Sequence, residues 1–248
     1  MQKRLITPLG YLTLGLCSLL LALPAAADRG GRVITMEITN TTHATFFTPL
    51  LVTAHPRGAH LFQLGTAASA DLQAMAEGGD LSGLLAGLGG EDGDTVANPA
   101  GGLLAPGETT TVTLTVRRHA VLSIVAMMLP TNDGFVGLDG LRIPKKRGLY
   151  TYGLTAYDAG TEANNEVING GGAPGVLGIP ADPGGLGGTG ATGVTAMEAN
   201  HTVHVHRGIL GDADATGGIS DLNIRMHRWQ NPVAQLRLRV GGDNEDDD

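Results

Sequence analysis

Two consecutive runs, "TTTVTLTVRR" at residues 109–118 and "AVLSIVAMML" at residues 120–129, decide the fold class of this chain. In the first run, threonines alternate with Val112, Leu114 and Val116, which is the period of a half-buried β-strand. The second run is apolar at nearly every position, which is typical of a central strand. Together the two runs predict a β-sheet protein.

Further β-prone segments lie on both sides of this pair. They are "RVITMEITN" (32–40), "GLYTYGLTAY" (148–157), "NHTVHVHRG" (200–208) and "NPVAQLRLRVGG" (231–242). Six or more short strands separated by turns predict an all-β fold, an antiparallel β-sandwich. The 39 glycines and the aromatic content of 4% also favour turns and long loops over a helical bundle.

Two segments depart from the strand pattern. The stretch "SADLQAMAEGGDLSGLLAGLGG" (69–90) has Ser69 as a capping residue and Leu72 and Met75 at helical spacing, with glycines as a stop. It predicts two short helices, which we place at the edge of the sandwich. The glycine-rich stretch at residues 169–193 predicts a long loop inserted between strands.

The first 27 residues have the pattern of a secretory signal peptide. Lys3 and Arg4 precede a short apolar run, and Ala25 and Ala27 have the spacing of a signal-peptidase site. The run is shorter than the ~20 apolar residues of a membrane span. We therefore expect a secreted or periplasmic protein without a membrane span after cleavage, and without disulfides, because Cys17 is the one cysteine.

The remaining chain divides into one domain at residues 28–242 and an acidic tail at residues 243–248. Loss of Lys3 and Arg4 changes the formal net charge from -8 to -10, and the tail holds five of the acids. The basic cluster "PKKRG" at residues 144–148 is short and more typical of a solvated loop than of a binding site. We therefore expect no nucleic-acid partner.

Two acidic segments are candidates for a cation site. "TAYDAGTEANNE" (155–166) places Asp158, Glu162 and Glu166 around a glycine. "LPTNDGFVGLDG" (129–140) is interpreted as a second acidic loop that offers Asn132, Asp133 and Asp139. Carboxylate oxygens from two loops suit a hard cation such as calcium. Loops of this composition are also ordinary turns, and spacing alone leaves both interpretations open.

The order of several segments resembles the spondin domain, the N-terminal module of F-spondin and mindin that also occurs alone in secreted bacterial proteins. The segments are "FTPLLVTAH", "HLFQLGTAASADLQAMAEGGD", "LPTNDGFVGLDGL", "YDAGTEANNE" and "QNPVAQLRLRV". The resemblance extends over roughly residues 33–240. Its most specific parts are "PTNDGFVG" and "DAGTE".

This resemblance implies a β-sandwich related to C2 domains, with one calcium ion held by Asp133, Asp158 and Glu162. Glu162 stands where the family usually has Asp, which keeps the charge on a longer arm. Gly134 replaces an aromatic residue of the family. The implied function is a non-enzymatic module that recognises an unknown extracellular or cell-surface protein or glycan.

The sequence leaves two rival functions open. His204 and His206 would share one face of a strand, as paired zinc or copper ligands do. A third ligand would have to come from elsewhere, for instance from His227 or His60, and nothing in the sequence places one there. The second rival is a structural envelope component without a ligand.

The loop at residues 212–221 begins like a calcium-binding loop, but Asn223 stands where the bidentate Glu is required. A second, weaker cation site there also stays open.

Catalysis has little support in the sequence. Ser123 lies within an apolar strand, no Gly-x-Ser-x-Gly motif is present, and the cleaved chain has no cysteine nucleophile. Trp229 is the one tryptophan, which leaves little for a sugar-stacking platform. We therefore predict that the protein is not an enzyme.

Overall fold

A computed structural model of the chain describes residues 31–88, 94–117, 120–194 and 200–241. The predicted signal peptide at residues 1–27 and the acidic tail at residues 243–248 lie outside these ranges and stay predictions.

Within the described ranges the chain forms ten strands and two short helices. In chain order they are β1 (Arg32–Asn40), β2 (Phe46–Phe47), β3 (Leu51–His55), α1 (Ala70–Gly78), α2 (Ser82–Gly87), β4 (Thr95–Ala97), β5 (Thr109–Val116), β6 (Val121–Leu129), β7 (Gly134–Arg142), β8 (Gly148–Asp158), β9 (His204–Val205) and β10 (Ala234–Val240). One hydrogen-bonded path joins them in the order β4-β3-β6-β7-β8-β10-β1-β5, with β2 paired to β6 and β9 paired to β8.

Strand β8 is shared between two layers of sheet. Its first half, Gly148–Leu154, pairs antiparallel with β10, and residues 155–158 pair antiparallel with β7. The sheet therefore folds over at β8, with β5, β1 and β10 in one layer and β7, β6, β3 and β4 in the other. The predicted antiparallel all-β sandwich is confirmed.

The main hydrophobic core fills the space between the layers. In β5 Thr109, Thr111, Thr113 and Thr115 face outward. Val112, Leu114 and Val116 are buried in the same core as Met36 of β1 and Leu238 of β10. This is the half-buried strand that the alternation predicts. Burial of such side chains stabilises the fold by about 1.5–3 kcal/mol each.

Strand β6 is buried on both faces, which explains its uninterrupted apolar run. One face lies in the main core, and Val125 and Met127 on the other face pack beneath Leu72 and Met75 of α1. The predicted helices are confirmed, and Ser69 caps α1 by accepting a hydrogen bond from the N–H of Leu72 at 3.1 Å. They cover the outer face of this central strand rather than an edge.

The glycine-rich segment at residues 169–193 contains turns and isolated bridges and no strand, as predicted. It packs with the 208–223 loop over a small apolar cluster formed by Ile179, Ile209 and Leu222. Neither helix is long and apolar enough to cross a membrane, within the part of the chain that the structure describes.

Candidate metal centre

Two loops meet at one end of the sandwich because Gly134, the first residue of β7, pairs with Asp158, the last residue of β8. This register places Asp133 beside Asp158, and the N–H of Ala159 donates to the backbone carbonyl of Asp133 at 3.2 Å. Asp133 and Asp158 are fully buried, and Glu162 is 6% exposed. The structure thus places Asp133 and Asp158 side by side, and Glu162 is buried on the loop that follows, with its backbone N–H donating to Asp133.

Asp133 uses one of its two carboxylate oxygens. Oδ2 accepts hydrogen bonds from the N–H of Thr161 at 2.8 Å, from the Thr161 hydroxyl at 3.1 Å and from the N–H of Glu162 at 3.2 Å. Oδ1 is buried and has no hydrogen-bond partner in the described part of the chain. A buried carboxylate oxygen without a partner costs free energy unless a proton or cation compensates it.

Asp158 organises the loop that follows it. Its Oδ1 accepts a hydrogen bond from the N–H of Gly160 at 2.8 Å, and its Oδ2 accepts one from the side-chain amide of Asn164 at 2.8 Å. Gly160 has a φ of 69°, and a Cβ at this position would lie 2.7 Å from the backbone nitrogen of Thr202. The glycine of "DAGTE" is therefore required both by its conformation and by this close approach.

Glu162 also leaves one oxygen without a partner. Its Oε2 accepts hydrogen bonds from the side-chain amide of Asn132 at 3.2 Å and from the N–H of Gly178 at 3.1 Å. Its Oε1 is buried and lacks a hydrogen-bond partner among the residues described. The sequence did not indicate Gly178, because no local pattern shows that the glycine-rich loop folds back over this site.

The site disfavours negative charge. Burial, and after it the neighbouring charge of Asp158, raise the pKa of Asp133 to about 7 against the hydrogen bonds from Thr161 and Glu162. Burial also raises the pKa of Glu162 to about 7 against the hydrogen bonds from Gly178 and Asn132, and the charge of Glu77 adds to this rise. No Lys or Arg is among the buried residues of the described ranges. A bound cation would therefore remove a real electrostatic cost.

Three other buried carboxylates have both oxygens occupied. Glu166 accepts from the N–H groups of Leu210 and Gly211 at 2.7 and 2.8 Å and from the hydroxyl of Ser220 at 2.5 Å. Asp221 accepts from two backbone N–H groups, and Glu77 from one N–H and one side-chain amide. These side chains fasten loops, and Glu166 of the predicted acidic loop belongs with them rather than with the cation site.

The interpretation of residues 129–140 as one acidic loop is wrong beyond Asp133, because Gly134–Arg142 is strand β7. Asp139 lies within that strand. Its Oδ2 is 2.6 Å from Nδ1 of His60, and its Oδ1 accepts hydrogen bonds from the N–H of Leu61 and the hydroxyl of Ser123. It fastens the segment after β3 and does not join the candidate site.

The imidazoles of His204 and His206, which the sequence suggested as paired metal ligands, lie in different contacts. Nδ1 of His204 donates to the carbonyl of Thr202 at 2.7 Å, and its Nε2 lies 3.6 Å from Oδ2 of Asp158. Nδ1 of His206 instead accepts the N–H of Gly208, and its ring packs edge-on against Trp229 at 5.1 Å between centroids. His204 therefore belongs to the acidic end, and His206 belongs to the packing beneath the loops.

The other proposed histidine ligands lie in contacts of their own. His60 is bonded to Asp139, and the buried ring of His227 lies 3.8 Å from Asp182. Burial lowers the pKa of His227. No contact joins either of them to His204 among the described residues.

The 212–221 loop is held by its own carboxylates. Oδ2 of Asp212 accepts from the N–H groups of Ile219 and Ser220, and Oδ1 accepts from the N–H of Asp214. These hydrogen bonds lower the pKa of Asp212. The arrangement is a self-bonded turn, as the polar-loop interpretation expects.

The structure leaves little space beside Gly134, the position where the resemblance to spondin domains implies an aromatic residue. A Cβ at Gly134 would lie 2.7 Å from Oγ1 of Thr131 and 3.1 Å from Cδ2 of His206. No side chain fits here without movement of these neighbours. Any surface that an aromatic ring supports in the family is absent at this position.

The ligand geometry is not complete as it stands. Within the described ranges, no three His, Cys, Asp or Glu side chains are gathered into a group that could hold a metal ion. Oδ1 of Asp133 and Oε1 of Glu162 are each a buried hard donor without another partner among the residues described, so each has the donor chemistry of a calcium ligand. One ion could contact both only after the side chains move.

Comparison with known proteins gives one match. The family model described as Spondin_N matches residues 39–167, which is just over half of the chain and includes Asp133, Asp158 and Glu162. The match is shorter than the expected 33–240. No curated protein matches the sequence.

Proposed function

Because the chain belongs to the family of spondin N-terminal domains, we propose that it is a secreted or periplasmic recognition module whose acidic end binds one calcium ion. Domains of this family are extracellular modules, and the family is not one of enzymes. The proposed ligands are Asp133, Asp158 and Glu162. The proposed partner is an extracellular or cell-surface protein or glycan.

One observation carries the calcium proposal. Asp133 and Glu162 each keep a buried oxygen without a hydrogen-bond partner, whereas Glu166 and Asp221 have both oxygens bonded. The same protein thus satisfies its loop-fastening carboxylates and leaves one oxygen open on each of two buried acids. An open buried oxygen is expected of a ligand, and Asp158, whose two oxygens are bonded, enters the proposal as the buried charge beside Asp133.

The donor chemistry supports calcium over smaller or softer ions. Calcium takes about six to eight oxygen ligands in flexible geometry, including backbone carbonyls, amide oxygens and water. Three carboxylates supply part of that number, so carbonyls and waters must complete the shell, together with a shift of the side chains. The longer arm of Glu162 allows it to approach with one or both oxygens.

Bound calcium would fasten the loop before β7 to the loop after β8. Its two positive charges would offset most of the charge of three buried carboxylates, and it would hold Gly178 of the glycine-rich segment in place through Glu162. An ion that binds only the folded state stabilises that state by mass action.

Exposed apolar side chains flank this end, Leu177 beside Gly178 and Leu210 beside the Glu166 anchor. The ordered loops around them are the surface that we assign to partner recognition.

Calcium titration of chelator-treated protein tests this proposal. We expect one site for the wild type and no measurable binding for Asp158→Asn. The matched control is Asp214→Asn, which makes the same charge change on an exposed loop carboxylate and should bind calcium as the wild type does. Absence of calcium binding to the wild type would contradict the proposal.

The position of His204 favours one second candidate function. Its Nδ1 bonds the carbonyl of Thr202, which leaves Nε2 directed toward Asp158, and metal-binding imidazoles are commonly held by such a second bond. Zinc or copper bound here would make the protein a His-ligated metalloprotein. Elemental composition of the purified protein separates the two candidates, because only the second predicts a stoichiometric transition metal.

A further inference from the structure

The end of the sandwich opposite the acidic site gathers basic side chains from several strands. Strand β1 begins there at Arg32, which pairs with Val116 at the end of β5, and β7 ends there at Arg142, which pairs with Val121. Strand β8 begins there and reaches Asp158 after 11 residues, which separates the two ends by roughly 30 Å.

Six side chains form this surface, which we call the basic end: Arg32, Arg142, Lys145, Lys146, Arg147 and Arg239. All are exposed except Arg32, which is half-buried.

Contacts between the strands hold the basic end together. Nη1 of Arg32 donates to the carbonyl of Lys145 at 3.3 Å, which brings β1 against the hairpin between β7 and β8. The Tyr150 hydroxyl donates to the carbonyl of Lys146 at 3.0 Å. The stem of Arg147 packs on Gly241, where a Cβ would lie 3.0 Å from its Cγ. The cluster is therefore a built surface and not only a run of basic residues in one loop.

The six cations lack carboxylate partners. None forms an ion pair with a carboxylate in the part of the chain that the structure describes, whereas nearby Arg237 pairs with Glu37 at 2.9 Å and Arg117 with Asp94 at 3.8 Å. Like charges gathered on one surface repel one another. In a chain of net charge -8, this segregation indicates a surface that meets an anionic ligand.

The residue types narrow the ligand class. Four of the six are arginines, whose planar guanidinium binds carboxylate, sulfate and phosphate groups through two parallel hydrogen bonds. Single-stranded nucleic acids also require aromatic platforms for their bases. Tyr150 is half-buried, and its hydroxyl is engaged with Lys146, so its ring is not presented as an open stacking platform.

We propose that the basic end binds a linear acidic polysaccharide through its sulfate or carboxylate groups. The repeating charges of such a chain match cations that are spread over the end of a sandwich instead of enclosed in a pocket. This surface is separate from the calcium site and does not depend on it.

Binding of the full chain to heparin and to polygalacturonate, with and without chelator, tests the proposal. We expect binding that weakens steeply between about 50 and 200 mM salt, as counterion release requires. The variant Lys145→Gln/Lys146→Gln/Arg147→Gln should lose at least about tenfold in affinity, because three contacts to anionic groups are removed. Its binding should also depend less steeply on salt, because fewer counterions are released. The matched control Arg207→Gln/Arg225→Gln/Arg228→Gln makes the same charge change near the opposite end and should bind within about twofold of the wild type.

Three results would overturn the proposal. The first is equal loss of affinity in both triple variants, which would show an effect of net charge alone. The second is tighter binding of single-stranded DNA or of anionic vesicles than of either polysaccharide at the same salt. The third is binding of polysaccharide only after removal of residues 243–248. That result would show that the ligand of the basic end is the acidic tail of the same chain.

Discussion

The carboxylate of Asp133 accepts both the backbone N–H and the side-chain hydroxyl of Thr161, at 2.8 and 3.1 Å, through a single oxygen. This contact joins the loop before β7 to the loop after β8 and leaves the second oxygen of Asp133 buried without a partner. The two loops are therefore held together by Asp133, while one of its carboxylate oxygens lacks the proton or cation that would compensate its burial.

Asp133→Asn should stabilise the protein in the absence of calcium. The amide oxygen can keep the hydrogen bonds from Thr161 and Glu162, while the buried charge beside Asp158 is removed. At about pH 8 with chelator we expect a gain on the order of 1–3 kcal/mol in the free energy of unfolding. The same variant should gain nothing from added calcium. Urea unfolding with and without calcium measures both effects, and a loss of stability in chelator would count against the account.

The stabilisation by calcium should depend on pH. Burial raises the pKa of Asp133 from 3.8 and that of Glu162 from 4.5, each to about 7. Because the folded-state values lie above the unfolded ones, the stability that these protons add is full below about pH 4 and is lost as the pH rises to about 7.

Calcium competes with the same protons, so the rise in melting temperature on adding calcium should be larger at about pH 8 than at about pH 5. Thermal unfolding at both values checks this. An equal rise at both would show that neither carboxylate binds the ion.

Glu166→Gln should destabilise the protein without removing calcium binding. One amide oxygen cannot accept the N–H groups of both Leu210 and Gly211 together with the Ser220 hydroxyl, so we expect a loss of about 1–3 kcal/mol. Glu108→Gln, at an exposed acid with a single backbone contact, is the control and should change stability by less than about 0.5 kcal/mol. Loss of calcium binding in Glu166→Gln would instead assign Glu166 to the ion.

Gly134→Ala should destabilise the fold by about 1–3 kcal/mol, because the new methyl group meets Thr131 and His206 in a packed region. Gly58→Ala is the matched control, since a Cβ there has nothing within 4 Å. Denaturant midpoints of the two variants give the comparison. Equal midpoints would mean that Gly134 is not required by packing.

Local patterns in the sequence predicted much of this molecule. The alternation in β5 and the apolar run of β6 reflect one and two buried faces, and the Ser69 cap marks the start of α1. Asp133, Asp158 and Glu162 were predicted through the likeness to spondin domains. The structure places the first two side by side and bonds the backbone N–H of Glu162 to Asp133, while their binding of calcium stays a prediction. Family motifs carry such information even when spacing alone does not decide between a cation site and a turn.

Contacts between distant segments were not predictable in this way. Asp139 looked like a loop residue because "DGFVGLDG" is rich in glycine, yet it lies in β7, where pairing with β6 overrides local propensity. The N–H of Gly178 reaches Glu162 from within a loop that has no periodic pattern. The basic end was missed for the same reason, since Arg32, Arg142 and Arg239 join "PKKRG" only through the strand register.

A crystal structure of the calcium-loaded protein tests the central claim most directly. We predict one strong calcium peak at about 2.3–2.6 Å from Oδ1 of Asp133 and Oε1 of Glu162, the two oxygens that lack partners, with Asp158 in the same shell. A structure in which calcium lies only at the Asp212 loop, or in which both oxygens stay without an ion at saturating calcium, would contradict it.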